Sequence, residues 1–236
     1  MSGPVVIVGA GQAGLQIAES LRQEKFDGPI TLLGTEPHAP YNRPPLSKKW
    51  LLERPDIATL AIRGPEALQR RHIELQPRCT VTAIDRGVRE VRCADGRSFA
   101  YGGLALATGA ALRTLPLPGA QLQNVHCLRT IEDAQAISAS LETCTAQEQP
   151  LVVIGGGFIG LEVAATARKR GVAVTVLEAF SRLMSRVVAP IVSEAAARVH
   201  RSHGVELRFD VKISEDRKST RLNSSHTMTS RMPSSA

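Results

Sequence analysis

Aromatic residues are scarce in this 236-residue chain, at 3% of positions. Sites for single-stranded nucleic acid stack bases on aromatic rings interleaved with cations, so this scarcity argues against such a site. The formal charge of +7 points the other way, but part of it is confined to the last twenty residues, where no acid occurs. That segment holds Arg217, Lys218, Arg221 and Arg231. Subtracting these four from +7 leaves +3 for residues 1–216, and nucleic acid is not an expected partner.

Long apolar runs and cysteine motifs are also missing. No run approaches the ~20 residues of a membrane helix, and the N-terminus lacks the regions of a signal peptide, so we expect no membrane segment and a cytoplasmic location. The cysteines show neither a CxxC spacing nor a neighbouring histidine pattern, which predicts no metal site and no redox dithiol. They are Cys79, Cys93, Cys127 and Cys144. We expect all four to be free thiols in a reducing compartment.

A repeated segment organises the chain. Residues 5–22, VVIVGAGQAGLQIAESLR, align without a gap with residues 151–168, LVVIGGGFIGLEVAATAR, and are identical at seven of eighteen positions. Each copy has four apolar residues, a G-x-G-x-x-G turn and then apolar residues at helical spacing, which predicts strand, tight turn and helix. A second apolar strand follows each helix and ends at Glu36 or Glu178. Both copies are therefore predicted to be right-handed βαβ units on parallel sheets.

The glycines of both copies suit dinucleotide binding. The first permits a sharp turn, the second lets the backbone approach a pyrophosphate, and the third lets helix and strand close. They are Gly9, Gly11 and Gly14 in the first copy and Gly155, Gly157 and Gly160 in the second. The helix N-terminus offers N–H groups to phosphates, and a terminal acid is placed to accept ribose hydroxyls. One such motif is a weak signal, whereas two with strand, helix and acid predict two dinucleotide sites.

The remaining segments complete the predicted organisation. Residues 73–109 contain short apolar stretches and an Asp95-Gly96 turn, which predict a small β insertion. Residues 130–142 begin with a threonine followed by acids and predict a helix, with ALRTLPLPGAQ before it as the candidate linker. Residues 217–236 are rich in serine and threonine without apolar periodicity, so we expect a disordered, non-native tail.

These features predict an α/β fold with two Rossmann-like dinucleotide-binding units and a small β insertion. Two such units in one chain usually pair a flavin with a nicotinamide nucleotide. We therefore expect the first part of an FAD-binding domain at 1–115, an incomplete NAD(P)-binding domain at 116–215 and the tail at 216–236.

Five stretches resemble the FAD-dependent, NADH-using ferredoxin reductases of oxygenase systems, the putidaredoxin and rubredoxin reductase family. They are VVIVGAGQAG, PYNRPPLSK, LALATGA, LRTIEDA and VVIGGGFIGLEVAATARKRGVAVTVLE, in family order over about residues 4–211. The resemblance implies hydride transfer from NADH to FAD and single-electron transfer to an iron–sulfur ferredoxin or rubredoxin. Family members continue into a further FAD segment and an interface domain that nothing here matches, so the chain resembles a C-terminally truncated member.

The resemblance also implies individual FAD contacts, in the first glycine loop, at the end of the second strand and at points further along. They are Ala13, Thr35 or Glu36, Arg43, Lys48, Val81, Thr108, Gly109 and Arg129. Many relatives have an acid where this chain has Thr35, which moves the expected ribose contact to Glu36. For some of these residues an interpretation without a role in FAD binding stays open. Arg43 is then a surface arginine, Arg129 is a cation that flanks a helix, and residues 108–109 form a plain turn.

Lys48 and Glu162 are the candidate catalytic pair by the same resemblance, with Lys48 beside the flavin and Glu162 meeting it from the second copy. A lysine there would stabilise negative charge on reduced flavin, and the carboxylate would orient and neutralise the lysine. Glu178 favours NADH over NADPH, because a carboxylate accepts ribose hydroxyls and repels a 2′-phosphate. Arg182 and Arg186 are alternatively ligands for that phosphate or surface charges.

Two other classes of function remain open at this point. A disulfide reductase would need a cysteine pair beside the flavin, and the absence of CxxC or CxxxxC argues against it. The second alternative is that the chain is an inactive fragment, or a nucleotide-binding or signalling module like apoptosis-inducing factor.

Overall fold

The computed structural model describes residues 3–213, so the tail predicted at 216–236 lies outside the described residues. The chain folds as two units. The first unit comprises Met1–Arg43 and Pro55–Ala111, and the second comprises Pro44–Arg54 and Leu112–Ala236. A short segment from early in the sequence, Pro44–Arg54, therefore belongs to the second unit.

A parallel four-stranded sheet forms the centre of the first unit. Its strands are β1 (Val5–Val8), β2 (Ile30–Leu33), β3 (Ile73–Gln76) and β7 (Gly103–Leu106), in the order β3-β2-β1-β7. Helix α1 (Gln12–Gln23) connects β1 to β2, which are parallel neighbours. Every residue of β1 is buried, as expected for a strand covered on both faces. The predicted strand, turn and helix of the first copy are confirmed.

The β insertion of the first unit spans fewer residues than the predicted range of 73–109. Strands β4 (Val81–Asp85), β5 (Glu90–Cys93) and β6 (Ser98–Ala100) form an antiparallel sheet with the predicted Asp95-Gly96 turn between β5 and β6. The flanking strands, β3 and β7, pair instead with β2 and β1. The unit also contains helix α3 (Pro65–Arg70) and a 3-10 turn at Ile57–Leu60.

A second parallel sheet forms the centre of the second unit. Its strands are β8 (Leu151–Ile154), β9 (Val174–Leu177) and β10 (Val205–Arg208), in the order β10-β9-β8. A 3-10 turn at Pro44–Ser47 belongs to this unit, together with helices α2 (Lys49–Glu53), α4 (Ile131–Ala146), α5 (Phe158–Lys169) and α6 (Pro190–Ser202). Leu51 of α2 is fully buried in the same core cluster as Val163 of α5 and Val174 of β9. Burial of Leu51 therefore anchors the Pro44–Arg54 segment within this unit.

The start of α4 follows the sequence prediction closely. Thr130 accepts a hydrogen bond from the main-chain N–H of Asp133, and the Asp133 carboxylate accepts one from the N–H of Thr130. This reciprocal capping box satisfies two N–H groups that a helix terminus otherwise leaves unpaired. The predicted helix over 130–142 is confirmed, and it continues to Ala146.

None of the helices in residues 3–213 combines the length and the apolar character that a membrane span requires. The same residues contain no group of three or more His, Cys, Asp or Glu side chains arranged to hold a metal ion.

A disulfide corrects the prediction of four free thiols. Cys79, just before β4, is bonded to Cys93, the last residue of β5, and both are buried. The sequence showed no pair because 14 residues separate the two cysteines, whereas the antiparallel β4–β5 pairing brings their Cα atoms to 6.1 Å. The exposed Cys127 and the partly buried Cys144 are free, and burial raises the pKa of the Cys144 thiol.

Thiol counting tests this pairing. In denaturant without reductant we expect two titratable thiols, Cys127 and Cys144, and four after reduction. Reduction should also lower the free energy of unfolding by about 3 kcal/mol, because the cross-link closes a loop of roughly 15 residues in the unfolded chain. In the folded protein a thiol reagent should modify Cys127 before Cys144. Four thiols before reduction would contradict the disulfide.

Candidate functional site

The first glycine loop leaves no room for side chains at two of its three glycines. Gly9 has φ +113°, and a Cβ there would lie within 3.0 Å of the Ala107 carbonyl oxygen. A Cβ on Gly14 would clash in the same way with the carbonyl oxygen of Gly9. Gly11, in contrast, has nothing within 4 Å of its would-be Cβ. Gly9 and Gly14 therefore close the turn, and Gly11 leaves an open space in front of α1.

The second glycine loop repeats this geometry in part, because a Cβ on its first glycine, Gly155, would meet nothing within 4 Å. Gly155 has φ +102°, and a Cβ on Gly160 would clash with the Gly155 carbonyl oxygen. Gly157 again has nothing within 4 Å of its would-be Cβ. Both units thus share a positive φ at the first glycine, open space at the second and a close backbone contact at the third.

The helices that follow the two loops suit bound phosphates. Gly11 and Gly157 are the N-cap residues of α1 and α5, and neither has a side-chain capping bond. The first turn of each helix contains no acidic residue, so no carboxylate competes with or repels an anion. Ala13 is exposed in the first turn of α1. Both loops therefore fit the pyrophosphate of a dinucleotide.

The end of β2 carries a cluster of three side chains. Tyr41 donates a 2.6 Å hydrogen bond to Oε2 of Glu36, and Arg43 is ion-paired with Oε1. Arg43 also donates to the Tyr41 hydroxyl at 2.8 Å and lies over the Tyr41 ring. The structure thus brings together Glu36 and Arg43, two of the predicted FAD contacts, while Thr35 is exposed.

Close packing places the backbone that leads to this cluster beside the first glycine loop. A Cβ on Gly34 would lie 2.7 Å from the Ala10 Cβ, so the backbone after β2 runs directly against the loop. Gly34 was not among the predicted site residues. Its signal in the sequence is a glycine between an apolar strand and the acid that follows.

The end of β9 carries a buried acid against the second glycine loop. Oε2 of Glu178 accepts a 2.6 Å hydrogen bond from the N–H of Gly156, and Oε1 accepts one of 2.9 Å from the N–H of Phe180. Each carboxylate oxygen can accept more than one hydrogen bond, so capacity remains for ribose hydroxyls. The predicted neighbourhood of acid and glycine loop therefore exists in the second unit.

The two arginines near Glu178 have protein partners. Arg182 donates to the carbonyl oxygens of Ser185 and Val188 and to the hydroxyl of Ser193. Arg186 lies over the ring of Phe180, 5.0 Å from its centroid. The hydrogen bonds of Arg182 therefore stabilise the loop that precedes α6.

The predicted pair of Lys48 and Glu162 is in contact within the second unit. Lys48 Nζ lies 2.8 Å from Oε1 of Glu162, and the two side chains are 50% and 28% exposed. Ser47 donates a 2.5 Å hydrogen bond to the other carboxylate oxygen, Oε2. The lysine is accessible while the carboxylate is bound on both oxygens.

The remaining predicted residues lie at separate places. Val81 begins β4 and pairs in register with Cys93. Thr108 lies against the first glycine loop, because a Cβ on Gly9 would come within about 3 Å of its nitrogen, and the next residue, Gly109, is exposed. Arg129 precedes the N-cap of α4, and its main-chain N–H is bound by Asp133.

Sequence reasoning missed Tyr41, Ser47 and Thr166. All three are buried and polar. Tyr41 and Ser47 donate to carboxylates, and Thr166 donates to the main chain of Ser47, 119 residues earlier in the sequence. Tyr41 and Ser47 lie in the PYNRPPLSK stretch that signalled Arg43 and Lys48, and Thr166 lies four residues after Glu162 on α5. Adjacency to the predicted residues was the available signal.

A family model described as pyridine nucleotide-disulphide oxidoreductase matches residues 3–232. The chain belongs to the pyridine nucleotide-disulphide oxidoreductase family. Membership of this family implies sites for FAD and a nicotinamide nucleotide, in agreement with two glycine loops that fit phosphates.

Among curated members of this family, rhodocoxin reductase from Rhodococcus erythropolis is 46% identical over 209 residues, covering 89% of this chain and 48% of that protein. Putidaredoxin reductase from Pseudomonas putida is 41% identical over 212 residues, covering 89% and 49%. The chain spans about half the length of the curated relatives it matches.

Solved structures of ferredoxin reductases also resemble the chain. A ferredoxin reductase from Rhodopseudomonas palustris aligns with a TM-score of 0.87 and 40% identity, over 92% of this chain and 52% of that one. The reductase in a covalent putidaredoxin reductase–putidaredoxin complex aligns with a TM-score of 0.85 and 39% identity, over 93% and 52%. The predicted α/β fold and the predicted resemblance are both confirmed.

Alanine substitution at two neighbouring glycines separates folding from phosphate binding. Gly14→Ala should lower the free energy of unfolding by about 2 kcal/mol or more, because its Cβ meets a backbone carbonyl that cannot rotate away. Gly11→Ala should leave stability within about 1 kcal/mol, because its Cβ meets open space, but should weaken FAD binding by filling that space. Urea unfolding and FAD titration measure the two effects. Equal destabilisation by both substitutions would contradict the loop geometry.

Proposed function

We propose that the chain is the nucleotide-binding part of an FAD-dependent NADH:ferredoxin reductase of an oxygenase system. The observation that carries this proposal is the contact between Lys48 and Glu162 in a chain with two complete glycine units. Rhodocoxin reductase and putidaredoxin reductase are 46% and 41% identical to this chain over 89% of its length, and they support an iron–sulfur ferredoxin or rubredoxin as the electron acceptor.

The first unit would hold FAD through its glycine loop. The N–H groups at the start of α1 would bind the pyrophosphate, with Arg43 as an additional cation. Glu36 would accept the ribose hydroxyls, and the Arg43 ion pair and the Tyr41 hydroxyl orient its carboxylate. Val81, Thr108, Gly109 and Arg129 are proposed as further FAD contacts by the family resemblance. We place the FAD-binding domain at residues 1–115 and the NAD(P)-binding domain at 116–215, although Pro44–Arg54 belongs to the second unit of the fold.

The second unit would bind NADH in preference to NADPH. Among residues 3–213, the partners of the Glu178 carboxylate are main-chain N–H groups, which carry no net charge and do not offset its negative charge. A 2′-phosphate beside it would be repelled, whereas two ribose hydroxyls would donate to it. Of the two alternative phosphate ligands, Arg182 is bound to two carbonyl oxygens and a hydroxyl, and Arg186 lies over the ring of Phe180.

Lys48 and Glu162 would act as an electrostatic pair at the bound flavin. FAD, when bound, supplies the conversion of a hydride into single electrons. Lys48 would place a positive charge where negative charge develops, and Glu162 would hold the ammonium group in position. Half of the Lys48 side chain is exposed, which leaves its ammonium group accessible to a ligand.

Two other functions fit the molecule less well. A disulfide reductase needs a cysteine pair that a substrate can reach. The disulfide-bonded cysteines, Cys79 and Cys93, are instead buried in the core of the first unit. A signalling module or inactive fragment would not need an intact Lys48–Glu162 pair.

Visible absorbance of the purified chain tests the proposed function. With FAD added, we expect a protein-bound flavin band that bleaches with NADH and persists with an equal concentration of NADPH. Glu178→Gln should lower the ratio of NADPH to NADH concentrations that give equal bleaching roughly tenfold, because about 1.4 kcal/mol of charge repulsion against the 2′-phosphate is removed. Glu206→Gln, at an exposed glutamate on β10, is the matched control and should preserve it. A protein that acquires no flavin band with FAD would overturn the proposal.

A further inference from the structure

The carboxylate of Glu162 has a different donor on each oxygen. Oε1 lies 2.8 Å from the Lys48 ammonium group, and Oε2 accepts a 2.5 Å hydrogen bond from the Ser47 hydroxyl. Two donors on opposite oxygens restrict rotation of the carboxylate about its last torsion, which is otherwise broad. Ser47 and Lys48 are consecutive in sequence, so one short segment supplies both donors.

Ser47 is itself fixed by α5. Only 4% of Ser47 is exposed, and its carbonyl oxygen accepts a 3.0 Å hydrogen bond from the Thr166 hydroxyl. Thr166 is also buried and lies four residues after Glu162, which puts both residues on the same face of the helix. The same helix therefore receives a hydrogen bond from the side chain of Ser47 and donates one to its main chain.

The ion pair alone would not hold Lys48 in place. Partly exposed pairs contribute little free energy, because solvent screens them and ordering a long lysine side chain costs entropy. The contact of Lys48 Nζ with the Pro44 carbonyl oxygen is long, at 3.4 Å. The buried hydroxyl of Ser47 has a shorter bond to a charged acceptor, a type of hydrogen bond stronger than a neutral one.

We propose that Ser47 is a positioning residue of the Lys48–Glu162 pair. Its hydroxyl fixes the Glu162 carboxylate, and the fixed carboxylate holds the Lys48 ammonium group at one place. The role of this pair at a flavin rests on the proposed function, whereas the dependence of the pair on Ser47 is a property of the second unit alone.

The first test needs no cofactor. Urea unfolding of Lys48→Ala, Glu162→Gln and the double variant gives the coupling between the two residues. We expect this coupling, expressed as a ratio of unfolding equilibrium constants, to fall by about half or more when the cycle is repeated in Ser47→Ala. The matched control is Ser193→Ala, because Ser193 is a buried serine of the same unit that donates to the Leu183 carbonyl. An unchanged coupling in Ser47→Ala would overturn the inference.

The second test measures the rate of flavin reduction by NADH. Ser47→Ala should slow reduction about tenfold, and Ser47→Thr, which keeps the hydroxyl, should recover most of the rate. In the Glu162→Gln background, Ser47→Ala should cause no further slowing, since its effect acts through Glu162. Should Ser47→Ala fail to fold, Ser47→Cys replaces it, because a thiol of similar size is a weak donor.

The outcomes separate this inference from the proposed function. If Lys48→Ala and Glu162→Gln leave the reduction rate unchanged, the proposed role of the pair is wrong, and the coupling measurement alone decides the role of Ser47. If those two variants slow reduction and Ser47→Ala does not, the proposed function stands and the positioning role of Ser47 is wrong.

Discussion

Both units depend on one close approach within the backbone, where the third glycine of each loop faces the carbonyl oxygen of the first. No side chain fits at Gly14 or Gly160, so each helix begins directly against the end of its strand. The strand that follows the helix pairs in parallel with the first, and its carboxyl end therefore reaches the same edge of the sheet. This geometry explains the position of Glu178, which follows β9 and accepts a hydrogen bond from the second glycine loop. Glu36 follows β2 in the same way, two residues after Gly34, which packs against the first loop.

One glutamate of the first unit and two of the second differ in how their charge is balanced. Arg43 offsets the charge of Glu36, and Lys48 offsets that of Glu162, whereas Glu178 is bound by neutral N–H groups. An unbalanced carboxylate repels a nearby phosphate, and a balanced one does so far less. The two copies of the repeated unit, alike in backbone, therefore differ in their expected tolerance of phosphate charge near the ribose.

Local chemistry explains which features the sequence predicted. The glycine loops, the parallel strands and the start of the helix at Thr130 each follow from residues within a few positions of one another. The Cys79–Cys93 disulfide and the bond from Ser47 to Glu162 depend on which segments meet in the fold. The pairing of Lys48 with Glu162 was predicted only because a family resemblance supplied the long-range contact. Spacing along the chain carries no such information across more than a hundred residues.

Nucleotide stoichiometry tests most directly whether each glycine unit is a separate dinucleotide site. Titration calorimetry with FAD, and then with NAD⁺ on the FAD-saturated chain, avoids reduction of the flavin during the measurement. Two separate sites predict one FAD and one NAD⁺ per chain, each with an affinity little changed by prior binding of the other. Competition between the two nucleotides for a single site would contradict this account.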